Sequence, residues 1–168
     1  MRVLGIDCGT ENTGYGVVDQ LENGDLVYVL AGAIQLSKRD PMPKRLAKVF
    51  TELSQIIFST SPKMVAIEEV FYSVNAKSAL KLGQVRGVAM LSASSAGLEV
   101  AEYAPLSIKS AVVGYGKADK VQVQHMVAHL LNLPEVPKPN DAADALAIAI
   151  CHLHTNATLK RYEMAPRG

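Results

Sequence analysis

Five acidic side chains stand where a solvated surface charge is out of keeping with its neighbours. Asp7 closes the apolar run Val3-Leu4-Gly5-Ile6, and Glu68 and Glu69 close a second, Met64-Val65-Ala66-Ile67. Asp141 and Asp144 open a stretch, Asp-Ala-Ala-Asp-Ala-Leu-Ala-Ile-Ala-Ile, that carries almost no other polar group. On a helix, three-residue spacing puts both carboxylates on one face. Asn140 reads as the N-cap of that helix, so the positive end of the helix dipole favours ionised Asp141.

Taken singly, Asp141 is an ordinary cap-region acid and the Glu pair an ordinary strand end. Taken together they suggest a site. In open α/β sheets, ligands gather at the carboxyl ends of strands, where Asp7 and the Glu pair fall. With those strands adjacent and the last helix beside them, three or four carboxylates converge and repel, raising one another's pKa. Hard divalent cations relieve the repulsion, and Mg²⁺, with Mn²⁺ as a substitute, suits all-oxygen ligation. Two ions about 4 Å apart activate water and stabilise the leaving oxygen in phosphodiester cleavage. Glu68 and Glu69 must face opposite sides of their strand, so only one can join; periodicity does not choose between them.

The elements that must position these acids follow from pattern. Arg2–Asp7 reads as a buried strand and 14–19 as a second. Asn23-Gly24 marks a hairpin leading into a third strand over 26–36. Leu46, Val49, Phe50, Leu53, Ile56 and Ile57 give one apolar face to a helix from Pro41–Pro43 to about Thr60. Strands over 63–69 and 98–103 then alternate with helices over 75–96 and 105–113, followed by helices over 119–132 and from Asn140. Such crossovers build parallel pairs. The expectation is an α/β fold: a mixed five-stranded sheet, antiparallel meander then parallel strands, with helices on both faces. The chain reads as one domain over 1–157, with 158–168 a tail expected to fray.

At 168 residues, 49% apolar and 20% charged, the chain can build a single ordinary core. No run reaches the roughly 18 apolar residues of a membrane span, and Asp7 comes too early for a signal peptide. A cytoplasmic protein without membrane attachment is expected. Cys8 and Cys151 read as reduced, buried residues. A net charge of +1 is not the mark of a nucleic-acid protein, but acids gathered round metal ions would leave the remaining surface more basic than the total.

Other features face the same chemistry. Phe71-Tyr72 follows the Glu pair directly, and aromatics on loops beside such sites stack on bases. Lys109, Lys117 and Lys120 flank the joint Gly114-Tyr115-Gly116 and suit phosphate contact. Gly83 and Gly87, four apart with Ala79, Leu80 and Val88, make the second long helix a candidate dimer contact. His125 and His129, at i and i+4, lack a third ligand or Glu base and do not make a zinc site.

Several blocks, in order and in register over nearly the whole chain, resemble the RuvC family of crossover junction endodeoxyribonucleases. They are Gly5-Ile6-Asp7-Cys8-Gly9 with Thr13-Gly14-Tyr15-Gly16-Val17, Ala66-Ile67-Glu68-Glu69-Val70-Phe71, and Asn75-Ala76-Lys77-Ser78-Ala79-Leu80-Lys81-Leu82-Gly83-Gln84 with Arg86-Gly87-Val88-Ala89. Val121-Gln122-Val123-Gln124-His125-Met126-Val127 and 141–149 continue the match. The resemblance implies a ribonuclease H-like fold and a homodimer that resolves Holliday junctions by paired symmetric nicks, in recombination and repair. By position, the metal-binding catalytic acids fall on Asp7, Glu68, Asp141 and Asp144, which selects Glu68 over Glu69. The aromatic entering the junction falls on Phe71, and the basic residues near the scissile phosphate on Lys109 and Lys120. Tyr72 and Lys117 lie in variable segments. Cys8 stands where family members usually carry Pro, which alters the turn rather than the acids. The implied partners are four-way junction DNA and the branch-migration proteins RuvA and RuvB.

Two other readings compete. Gly5-Ile6-Asp7-Cys8-Gly9-Thr10 before a hairpin also resembles the phosphate-binding opening of actin-like and sugar-kinase ATPases, but those enclose ATP between two such domains. A non-catalytic module that only holds branched DNA would be marked by loss of an acid, and all four are present.

Overall fold

The structure is a computed structural model that describes residues 1–69 and 75–164. Phe71 and Tyr72 lie outside them. The described elements are β1 (Arg2–Asp7), β2 (Asn12–Gln20), β3 (Leu26–Gln35), α1 (Met42–Thr60), β4 (Met64–Glu68), α2 (Ala76–Ser95), β5 (Val100–Tyr103), α3 (Pro105–Val113), α4 (Lys120–Leu130) and α5 (Asn140–Met164). Among the described residues the strands form one sheet in the order β3-β2-β1-β4-β5. β1, β2 and β3 pair antiparallel, whereas β1–β4 and β4–β5 are parallel. The mixed five-stranded sheet expected from the pattern is therefore present.

Strand alternation sorts the core into two layers. Leu4, Ile6, Val17, Ile34, Val65 and Ile67 face α1 and α2. Val3, Val18 and Ala66 face the other way, into a layer built from α3, α4 and α5. Leu4, Ile6, Ile67, Leu146 and Ile150 are wholly inaccessible. Burying each such side chain contributes roughly 1.5–3 kcal/mol.

The α5 helix lies against the middle of the sheet, and glycines set how close it comes. Gly5 pairs with Gly16 and Asp7 with Gly14 across β1 and β2, so all four point toward α5. A Cβ on Gly5 would meet the Ala145 carbonyl at 2.0 Å, one on Gly14 the Asp141 carbonyl at 2.1 Å, and one on Gly16 the Leu146 nitrogen at 2.7 Å. These are distances no real Cβ occupies, so bare backbone is what allows the helix to sit down on the strands. The alanines of α5, Ala142, Ala143, Ala145, Ala147 and Ala149, are correspondingly buried.

One local expectation shifts. α5 begins at Asn140 itself, so Asn140 belongs to the first helical turn rather than capping it. The hairpin expected at Asn23-Gly24 is present, joining β2 to β3. Leu21 donates to the Asp25 carbonyl, and Gly24 takes φ +93° inside that loop, a conformation that favours glycine. The C-terminal stretch continues α5 as helix through Met164.

Candidate active site

Parallel pairing brings the acids together. Ile6 pairs with Ile67, so Asp7 and Glu68 are the next residues on neighbouring strands, at the same end of the sheet. Asp7 shares the face of Val3 and Gly5, and Glu68 shares the face of Ala66; both faces look toward α5. Glu69 has the opposite parity, and its backbone N–H is committed to the Tyr103 carbonyl at 2.8 Å. Geometry thus makes the choice between the two glutamates that alternation alone left open. Asp141 and Asp144 come from the first turns of α5, which the glycines hold close.

Asp7, Glu68 and Asp144 line a cleft of about 360 Å³. Pro105, Ile108 and Lys109 of α3, Lys120 and Val123 of α4, and Ala147 and Ile148 of α5 complete its wall. Asp141 does not line the cleft; its backbone lies against Gly14 and its charge acts on Asp7. Burial, then the charges of Asp144, Glu68 and Asp141, push the Asp7 carboxyl up to about 7. Burial and Asp144 also raise Glu68, opposed by Lys120 and Lys109. Electrostatically, therefore, Asp7 and Glu68 are strained as anions, and a bound cation would relieve that strain.

Asp144 is held from α4. Lys120 Nζ lies 2.6 Å from Oδ2, and Gln124 Nε2 donates to Oδ1 at 3.3 Å. Its own hydrogen bond to Asp144 and the charge of that carboxylate raise the Lys120 ammonium. From beneath the sheet, Arg86 on α2 donates to the Glu68 backbone carbonyl at 3.3 Å and pairs with Glu102 on β5. Sequence reasoning passed over Gln124, Arg86 and the role of the three glycines. A signal existed for one of them: Gln124 falls between Val123 and Val127, on the buried side of α4, where a polar residue needs a partner.

The other sequence candidates divide. Lys109 and Lys120 line the cleft, whereas Lys117 lies exposed in the turn between α3 and α4. His125 and His129 are exposed on the outer side of α4. His152 Nδ1 is hydrogen-bonded to the Tyr103 hydroxyl, and His154 Nδ1 donates to the Ala111 carbonyl, each at 2.8 Å. Cys8 and Cys151 are free thiols, pushed up by burial to about 12 and about 11 respectively.

The donor set offered by the cleft is entirely carboxylate oxygen, which fits a hard divalent cation. As the side chains lie, no group of three or more His, Cys, Asp or Glu among the described residues is drawn tight enough to hold an ion. The acids surround the cleft without closing into a cage.

A mixed sheet of this topology, with acids at the ends of adjacent parallel strands and on a helix crossing them, defines a ribonuclease H-like protein. Comparison with known proteins makes the assignment specific. The family model for RuvC, crossover junction endodeoxyribonuclease, matches residues 3–152. A crossover junction endodeoxyribonuclease RuvC from Koribacter versatilis is 65% identical over 161 residues, covering 96% of this chain and 97% of the relative. The Thermus thermophilus RuvC structure superposes with a TM-score of 0.88 at 32% identity, covering 94% of this chain and 96% of that one. The same protein in complex with Holliday junction substrate gives 0.87 at 30% identity, with the same coverage. The chain belongs to the RuvC family of crossover junction endodeoxyribonucleases.

Proposed function

We propose that this protein resolves Holliday junctions in DNA recombination and repair, acting as a homodimer that nicks two symmetry-related strands by Mg²⁺-assisted phosphodiester hydrolysis. One observation carries the reading: Asp7, Glu68 and Asp144 share a cleft rimmed by Lys109 and Lys120, with Asp141 acting on the same charge cluster. Family membership sets aside the kinase-like ATPase, and the retention of all four acids speaks against an idle DNA-binding module.

In this reading Asp7, Glu68, Asp141 and Asp144 are the metal ligands. Bound divalent ions, two per site, would supply the positive charge that activates water and stabilises the departing oxygen. The protein's own part is to orient and to exclude. Strand register fixes Asp7 beside Glu68, and the glycine-seated α5 brings its two acids to them. Lys109 and Lys120 offer ammonium groups to the backbone phosphates, contacts that give affinity without reading sequence. Lys117, outside the cleft, would touch flanking phosphates. Phe71 and Tyr72 follow Glu68 closely enough in sequence to reach bases at the cut.

The dimer reading rests on α2. Leu80 and Leu91 are 70% and 56% exposed, and a Cβ on Gly83 or Gly87 would meet open space. A helix face that is apolar and free of bulk allows close approach of a second copy. A C₂ dimer presents two identical clefts to two equivalent phosphodiesters. RuvA and RuvB are the proposed partners in junction processing. Residues 1–157 are proposed as the nuclease domain, working in the cytoplasm, where a junction resolvase meets its DNA. No helix among the described residues is long and apolar enough to cross a membrane.

The test is an end-labelled synthetic four-way junction beside matched duplex and single strand, with Mg²⁺, Mn²⁺ or EDTA. Paired nicks confined to the junction and abolished by EDTA are expected. Equal cutting of duplex, or cutting in EDTA, would contradict the proposal.

A further inference from the structure

The two side chains that α4 extends to Asp144 differ in kind. A capping box between Asp119 and Gln122 fixes the start of α4, and Val123, Val127 and Ala128 anchor its inner face in the core. Lys120 and Gln124, one helical turn apart, then reach the same carboxylate on different oxygens. The Lys120 side chain is 60% exposed and charged, so a phosphate can attract it away from Asp144 and an incoming cation can displace it. Gln124 is only 7% exposed and neutral. A carboxylate only accepts, so the amide turns its NH₂ toward Oδ1 and leaves the charge of Asp144 intact. This contact does not compete with a cation for charge, whereas the Lys120 contact does.

We propose that Gln124 is a positioning residue: it fixes the rotation of the Asp144 carboxylate so that the free lone pairs face the cleft. The proposal rests on the reading of Asp144 as a metal ligand. Partners of this sort, bonded to a ligand rather than to the metal, commonly change affinity by 10–100-fold when removed. Without the amide, the rotation of the Asp144 carboxylate is no longer fixed through Oδ1 and follows its ion pair with Lys120.

The experiment uses the full-length protein and two variants, Gln124→Met, which keeps length but removes the donor, and Gln124→Asn, which keeps the donor but falls short. Mn²⁺ binding without DNA is followed by the electron paramagnetic resonance signal of free Mn²⁺. Junction nicking is measured across Mn²⁺ concentration. Expected are about tenfold weaker Mn²⁺ binding and an about tenfold higher half-saturating Mn²⁺. The rate at saturating Mn²⁺ should recover to within about threefold of the parent. A purely structural role would lower the maximal rate and leave both midpoints in place, and that result in either folded variant overturns the proposal. Asp144→Asn serves as the reference. If it cleaves like the parent, the ligand reading falls and the proposal with it. If it is inactive while the Gln124 midpoints stay put, the proposal alone falls.

Discussion

At the scale of single residues, Asp7 is the acid most strained by burial and by its like-charged neighbours. Its carboxyl, near 4 in an unfolded chain, is pushed up to about 7 in the fold. A group with a raised native pKa favours the fold when protonated. Its contribution is complete below about pH 4 and lost as pH rises through about 7, to a limit of roughly 4 kcal/mol. Glu68 shifts in the same direction. Thermal melting in EDTA should therefore show stability falling between about pH 4 and about pH 7. Asp7→Asn should flatten that fall and melt above the parent at pH 8, while Mg²⁺ should restore the parent. Parallel melting profiles for parent and variant would show that Asp7 carries no such strain. Asp7 and the Asp141–Asp144 pair were legible in the sequence because a carboxylate amid apolar residues needs a reason. Periodicity did not separate Glu68 from Glu69; the family resemblance selected Glu68, and the neighbouring strand and α5 supply the physical reason by defining a face. Gln124 was not singled out because its partner lies 20 residues away on another helix.

At the scale of elements, the close seat of α5 on β1 and β2 is the feature on which the site depends. Gly5→Ala would drive a methyl group into the Ala145 carbonyl, and Gly16→Ala would press on Leu146. Overpacking of this kind costs roughly 1–3 kcal/mol or more. Each variant should show a lower urea midpoint and, because α5 carries Asp141 and Asp144, slower junction nicking at a given Mg²⁺ concentration. Unchanged midpoints would mean that the helix yields freely. Arg86 makes a second link: it ties α2 to the last carbonyl of β4 and to Glu102 of β5. Arg86→Met should reduce nicking severalfold while circular dichroism reports an intact fold; full activity would remove Arg86 from the account. Element order and type were readable from periodicity, and α3 matches its expected span of Pro105 to Val113. β2 begins two residues earlier than its composition suggests because Asn12 pairs with Gln35 of β3, a contact that local pattern cannot report. The glycine seats were likewise hidden, since a glycine in a strand does not announce which helix lies over it.

At the scale of the whole molecule, the proposed paired nicking requires two clefts acting on one junction. Gly87→Arg would place a long charged side chain on the open face of α2, where nothing now lies within 4 Å of an added Cβ. Sedimentation should show a monomer, and any remaining nicks should be unpaired. A dimer that survives this change would locate the contact elsewhere. The central claim, that the carboxylate cleft is the catalytic centre of a metal-dependent junction endonuclease, has a direct test. The measurement is the single-turnover nicking rate of Asp7→Asn on a four-way junction in Mg²⁺, with junction affinity of the same protein measured in EDTA. The account predicts a rate at least about a thousandfold below the parent, with affinity within a few-fold, as removal of groups that stabilise the transition state does elsewhere. A variant that nicks at the parental rate, or one that loses nicking only because it no longer binds the junction, would contradict it.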